Sequence, residues 1–210
     1  MTKRLDAALR RTVDMVVASI GLLLLSPILL LLSLAVKFTS KGPVFYRARR
    51  VGRNGRPFHL LKFRTMVAGA DKIGPGLTLD RDPRITPMGR RLRSHRLDEL
   101  PQLWNVLVGD MSLVGSRPED PRFVAHYTEE QREILKARPG VTGPAQIAFR
   151  NEPERLRVAL DPEEVYLQEI MPAKLAIDLE YLRQRTLWAD LGMLFSTLRI
   201  YVGNRILVVM

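Results

Sequence analysis

Residues 15–36, MVVASIGLLLLSPILLLLSLAV, carry no charge, and Ser26-Pro27 sits at their centre. A bilayer core takes about 20 helical residues to cross, so this run is long enough to enter or span a membrane. It exceeds the roughly 7–15 apolar residues of a signal peptide. Ala35-Val36-Lys37 is also a poor cleavage site, so the run is expected to persist as an anchor. Proline lacks an N–H and its ring crowds the preceding turn, which kinks or breaks a helix. Basic residues flank both ends: Lys3, Arg4, Arg10 and Arg11 before, then Lys37, Lys41, Arg47, Arg49 and Arg50 after. A simple span has one strongly basic side, the cytoplasmic one. Two forms remain open, an ordinary span kinked at Pro27 and a re-entrant helix that breaks at Ser26-Pro27 and leaves on the face it entered.

The formal net charge is +11, and it is concentrated after the anchor. Residues 41–100 hold fifteen Lys/Arg against five Asp/Glu, whereas residues 101–210 hold thirteen against fifteen. A juxtamembrane basic block attracts anionic headgroups by roughly 1 kcal/mol per charge. It also suits phosphorylated substrates or nucleic acid, and the anchor favours phosphate at the membrane. There is no cysteine, which excludes disulfides and thiolate chemistry. His59, His95 and His126 are too scattered for a histidine zinc site.

PVFYRARRV and PFHLLKFRTM are β-prone runs around the turn signal GRNGRP, so residues 43–66 read as a hairpin. The Gly/Pro-rich stretch 69–89, with Asp80 and Asp82, reads as a loop. A helix is expected over 89–97, and Pro101 suits the first turn of another, LPQLWNVLVG. GSRPEDP reads as a turn, 122–138 as helix and RPGVTGPAQ as a second loop. Residues 153–185 read as two helices meeting near Met171-Pro172, and 186–201 as an apolar helix. Trp104 and Trp188 fall on apolar helical stripes, as core or interfacial residues do. The expected organisation is an anchor over 1–40 and one compact, predominantly helical α/β domain over 41–210.

Asp98 and Glu99 stand together after a basic approach of Arg90, Arg91, Arg93 and Arg96. Adjacent carboxylates near positive charge can bind Mg²⁺ through oxygen, and one can act as a nucleophile. An ordinary acidic first turn of a helix has the same appearance.

LDELPQLWNVLVGDMSLVGSRPE (97–119) strongly resembles the signature of bacterial sugar transferases, the monotopic phosphoglycosyl transferases. KGPVFYRARRVGRNGRPFHLLKFRTM (41–66), ITPMGRRLR (85–93), RPGVTGPAQ (138–146) and DLEYLRQRTLWADLGMLFSTL (178–198) resemble other segments of that family, and the Ser-Pro anchor fits it. The resemblance implies transfer of a phosphosugar from a UDP-sugar to polyprenol phosphate, the undecaprenyl form above all, at the cytoplasmic face of the inner membrane. It implies Asp98 as nucleophile and Glu99 as metal ligand or tuning group, with Mg²⁺ held by both. By the same resemblance Lys62, Arg64, Arg93, Arg117, Arg150, Asp178 and Asp190 are candidate substrate contacts. The chain departs from the pattern in two places. Ser116 replaces the first proline of a common Pro-Arg-Pro, and Phe149 precedes Arg150-Asn151 where a glycine is usual.

The expected partners are a UDP-sugar, polyprenol phosphate, the lipid bilayer and a second copy of the chain, with no nucleic acid. Two rivals are a non-catalytic basic membrane adaptor and a polyprenyl-diphosphate hydrolase. An adaptor needs no acidic pair inside a basic run, and a hydrolase needs no nucleotide-sugar donor.

Overall fold

A computed structural model of the chain describes residues 3–70, 73 and 82–206, with side chains between 5 and 200. Most of the Gly/Pro loop, Asp80 included, lies outside the described residues, as do the side chains of Lys3 and Arg4.

The anchor is one helix, α1 (Lys3–Thr39), of 37 residues. The helix runs through Ser26-Pro27 without interruption, for a local reason. Pro27 cannot donate to the carbonyl four residues back, Leu23 O, and the Ser26 hydroxyl donates to that carbonyl instead at 2.7 Å. The serine therefore replaces the missing rung, and the helix continues.

After α1, β1 (Phe45–Val51) and β2 (Pro57–Phe63) pair antiparallel, from Phe45 opposite Phe63 to Val51 opposite Pro57. The turn is the expected one, with Asn54 and Gly55 both at positive φ (57° and 74°). The helix α2 (Pro87–Ser94) is N-capped by the Thr86 hydroxyl. It ends earlier than expected because Arg96 adopts a left-handed conformation, φ 52°, which starts a separate 3₁₀ turn at Leu97–Glu99. The helix α3 (Gln102–Val108) follows and stops at Gly109, φ 95°.

β3 (Ser112–Val114) pairs in parallel with β4 (Gly140–Thr142), so RPGVTGPAQ is not a plain loop. It supplies a strand and then α6 (Pro144–Ala148), preceded in the chain by the one-turn helices α4 (Pro121–Val124) and α5 (Glu129–Arg132). The helix expected over 122–138 is divided because Thr128 and Gln131 form a capping box that restarts it. The glycines on either side of the strand pair are sites of close approach. A Cβ on Gly140 would lie 2.1 Å from Gly115 N, and one on Gly143 would lie 2.2 Å from Gly115 O. This contact fastens the GSRPE turn to the PGVTG segment.

Next come α7 (Glu152–Arg157), α8 (Pro162–Val165), a π turn at Tyr166–Ile170, α9 (Met171–Gln184) and α10 (Leu187–Ile206). The expected junction at Met171-Pro172 is bridged: the wide π turn carries the chain past a proline that has no N–H to give. The helix junction falls at residues 158–161 instead.

Three buried clusters hold these elements, and α1 enters two of them. Ala18 packs with Ala48, Leu60, Val106, Met111, Leu113 and Val114. Val36 packs with Phe63 and Leu92. The third cluster, around Phe123, Tyr166, Ile170 and Leu175, draws on the second half of the chain and on Val51 of β1.

Candidate active site

The left-handed Arg96 is an uncommon conformation for a residue with a Cβ. It swings the chain into the tight turn that places Asp98 inward, 8% exposed. Among the described residues no side chain hydrogen-bonds the Asp98 carboxylate. Burial and the neighbouring Glu99 charge push its pKa up, while Lys62 and Arg93 oppose that shift. Desolvation makes this carboxylate a better base and nucleophile, and the two cations favour its ionised form.

Glu99, one residue on, has the opposite surroundings. Its Oε1 accepts from Lys62 Nζ at 2.6 Å and from Arg117 Nη2 at 3.2 Å. Burial by itself would raise its pKa, but the charges of Lys62 and Arg117 outweigh burial and hold it well below the usual carboxylate range. Lys62 is pushed down by burial and partly restored by Glu99. The result is two adjacent carboxylates, one tied down and one free.

Lys62 comes from β2, which is fastened to α3 by Asn105. The Asn105 amide accepts from Leu61 N at 2.9 Å and donates to His59 O at 2.8 Å. Arg93, on α2, donates from Nε to the Thr65 hydroxyl at 2.8 Å, and burial lowers its pKa. Arg117 stands in the GSRPE turn and also reaches Gln146 Oε1 at 3.4 Å. Arg90, Arg91 and Arg96 form an exposed basic rim. No motif in the sequence marks Asn105, Thr65 or Gln146 for these tasks. The nearest signal is that of Thr65, which lies beside Arg64 in KFRTM, whereas the task of Asn105 depends on a strand 44 residues away.

The other candidates are placed elsewhere. Arg64 closes the end of the anchor: its guanidinium donates to Pro43 O, to Ser40 O at 2.8 Å and to the Ser40 hydroxyl at 2.7 Å. Asp190 accepts from Tyr181 at 2.6 Å and forms a two-pronged pair with Arg185 at 2.9 Å. Asp190 is bonded on both oxygens within the fold, whereas Arg64 is bonded through its two terminal nitrogens and keeps a buried Nε without a partner among the described residues. Arg150 is exposed beyond α6 and pairs with no carboxylate among the described residues.

Asp178 caps α6 from α9, accepting from Ala145 N at 3.1 Å. It lines a small cleft together with Ser116, Arg117, Glu119, Tyr127 and Lys174. Burial pushes its pKa up to about 6. A carboxyl whose folded pKa is raised binds more protons folded than unfolded, so stability falls as pH rises from about 3.8 to about 6. Asp178→Asn keeps an acceptor for Ala145 and removes this cost, at most about 3 kcal/mol. The variant should melt higher than wild type at pH 7.5, with the difference shrinking toward zero near pH 4. Equal differences at both pH values would contradict the assignment.

A divalent cation fits the Asp98–Glu99 pair only with help from substrate. Glu99 Oε1 is occupied by two cations, which leaves its second oxygen and the free Asp98 carboxylate. No group of three or more His, Asp or Glu residues among those described could hold an ion by itself. One or two carboxylates completed by phosphate oxygens is an ordinary Mg²⁺ donor set.

Residues 5–204 match the sequence profile of the family described as bacterial sugar transferase. The chain is 41% identical over 198 residues to UDP-glucose:undecaprenyl-phosphate glucose-1-phosphate transferase of Escherichia coli K12, covering 90% of this chain and 39% of that protein. It is 37% identical over 204 residues to the exopolysaccharide production protein ExoY of Rhizobium meliloti, covering 90% and 83%. It is 35% identical over 198 residues to UDP-N-acetylgalactosamine-undecaprenyl-phosphate N-acetylgalactosaminephosphotransferase of Aeromonas hydrophila, covering 92% and 43%. The chain thus spans about two fifths of the length of the Escherichia coli and Aeromonas proteins.

Proposed function

This chain belongs to the bacterial sugar transferase family, and from that premise we propose that it transfers a sugar 1-phosphate from a UDP-sugar to undecaprenyl phosphate. The products are undecaprenyl-diphosphate-sugar and UMP, in an opening membrane step of glycan assembly. UDP-glucose is the first donor to test, because several relatives at 38–41% identity are named for it. The single observation that carries the reading is the asymmetry of the acidic pair: Asp98 buried and without a side-chain hydrogen bond among the described residues, Glu99 held between Lys62 and Arg117.

In this reading an Asp98 oxygen attacks the sugar-bearing phosphorus. The bond from that phosphorus to the bridging oxygen breaks, and UMP departs with the bridging oxygen and its electron pair. An oxygen of the lipid phosphate then attacks the same phosphorus and releases Asp98. Splitting the transfer spares two anionic substrates from meeting. Lys62, Arg93 and Arg117 counter the charge that builds on the phosphoryl oxygens. Mg²⁺ held by Asp98, Glu99 and the diphosphate would add Lewis-acid stabilisation.

Purified protein in bilayer discs, given undecaprenyl phosphate and a panel of nucleotide sugars, should release UMP from one donor. EDTA should stop the release and added Mg²⁺ restore it. Full activity after exhaustive chelation would remove the metal. Phosphate release from polyprenyl diphosphate without any donor would indicate the hydrolase, and no release from any donor the adaptor.

The proposed setting is the cytoplasmic face of the inner membrane, with both ends of α1 on that face and a bend, within the unbroken helix, at Ser26-Pro27. Exposure supports it. Leu23, Leu24, Ser26, Pro27 and Ile28 are all exposed, whereas the flanking stretches each bury a side. Packing supports it too. Asp14 near one end and Ser40 at the other both bond residues of the catalytic region. A straight helix would separate those residues by about 39 Å at 1.5 Å per residue, more than the hydrocarbon thickness of about 30 Å. A charged domain cannot touch both ends across a bilayer. A single cysteine at Thr2 or at Thr39 should therefore resist an impermeant reagent in intact cells. Labelling of either from outside would establish an ordinary span.

A further inference from the structure

Asp14 is the last charge before the apolar run, and it is buried, 6% exposed. Its two oxygens accept from the Ser112 hydroxyl at 2.8 Å and from Leu113 N at 2.9 Å, residues of β3. One turn earlier, Arg11 donates to Val106 O at 2.6 Å and Leu107 O at 2.8 Å. Those carbonyls lie at the C-terminus of α3, where a cation is favourably placed. The same α3 starts immediately after the turn that carries Asp98 and Glu99. The anchor therefore grips the far end of the helix whose near end bears the acidic pair.

The grip extends past α1. The Ser112 hydroxyl also receives Arg185 Nη2 at 3.3 Å, and Arg185 donates to Val114 O at 2.7 Å while it holds Asp190. A polar seam thus joins anchor, β3 and the junction of α9 with α10. A carboxylate taken out of water is tolerated only when its bonds are satisfied. An apolar residue at position 14 would pack a helix against the domain, but it would not fix a register along the helix axis. Two directed hydrogen bonds do.

We propose that Asp14, supported by Arg11, is a positioning residue that sets the height of the Asp98 site over the bilayer. It would govern attack by the membrane-embedded lipid phosphate while touching neither substrate. This rests on the phosphosugar transfer proposed above. The soluble donor reaches the site from water, so its half of the reaction does not depend on that height.

The test separates the two halves in the full chain in bilayer discs. Exchange of labelled UMP into the UDP-sugar needs no lipid phosphate, whereas transfer to undecaprenyl phosphate does. Asp14→Leu should lower lipid transfer about ten- to a hundred-fold, the scale of roughly ångström misplacement, and leave exchange within about two-fold. Asp14→Asn keeps an acceptor for Leu113 N and should restore most of the transfer. A fluorophore on Ser94→Cys, the chain's only cysteine, should shift its quenching by lipids brominated at fixed depth in Asp14→Leu and not in Asp14→Asn. Equal loss of exchange and transfer overturns the proposal in favour of plain destabilisation. Unchanged transfer, or lost transfer at unchanged depth, overturns it as well. If wild type neither exchanges nor releases UMP, the proposed function fails, and the depth measurement still decides whether Asp14 sets the height.

Discussion

Asp98→Asn should lower UMP release by at least about a thousand-fold, on the scale seen when a covalent nucleophile is removed. The protein should stay folded and bound to membrane. The substitution is nearly isosteric, and no side-chain hydrogen bond to Asp98 is lost among the described residues. Removing a charge whose burial raises its pKa should leave the melting temperature unchanged or raise it. Stability and activity thus move in opposite directions, as expected of a residue retained for chemistry. The pH profile carries the same signature. The acid limb of kcat/KM should fall above the ordinary carboxylate range, because the nucleophile must be ionised and its pKa is raised. Activity above a few per cent in a sample shown free of deamidation would rule out Asp98 as the nucleophile.

Glu99→Gln should be damaging for a different reason. It leaves Lys62 and Arg117 facing a neutral amide, with Lys62 largely withdrawn from water. Removing one partner of a buried pair costs about 3–5 kcal/mol, discounted here because Arg117 is about a third exposed. The melting temperature should drop, and activity should drop about a hundred-fold or more as both cations lose their fixed positions. Lys62→Met together with Glu99→Gln should recover much of the stability and none of the activity. A double variant no more stable than Glu99→Gln would show that the ion pair is not what holds the site. Mg²⁺ titration gives an independent reading. A curve identical to wild type would remove Glu99 from the metal.

The hairpin, the long apolar helix and the acidic pair are all legible in the sequence. Asn54-Gly55 can take positive φ where most residues resist it, and twenty-two uncharged residues cannot stay in water as an exposed helix. Two helix boundaries depart from periodicity for a shared cause. Thr128 restarts a helix that periodicity would continue, and the π turn at Tyr166–Ile170 carries another past Pro172. In each case one hydrogen bond or one wide turn overrides a propensity worth about 1–3 kcal/mol.

The sequence by itself determined which chemistry this chain holds: a lipid-seeking segment, a basic block behind it and two carboxylates inside that block. Tertiary structure alone decided which carboxylate is free. Asp98 and Glu99 are neighbours of nearly the same chemistry, and nothing local separates them. Lys62, thirty-seven positions earlier, and Arg117, eighteen later, close on Glu99 and leave Asp98 open. It likewise turned Arg64 to the anchor's end and Asp190 to Arg185. Helix and turn preferences come from sterics between adjacent residues, so they can be read along the chain. Charge interactions depend on distance through space and on exclusion of water, and folding sets both between residues that the sequence keeps far apart.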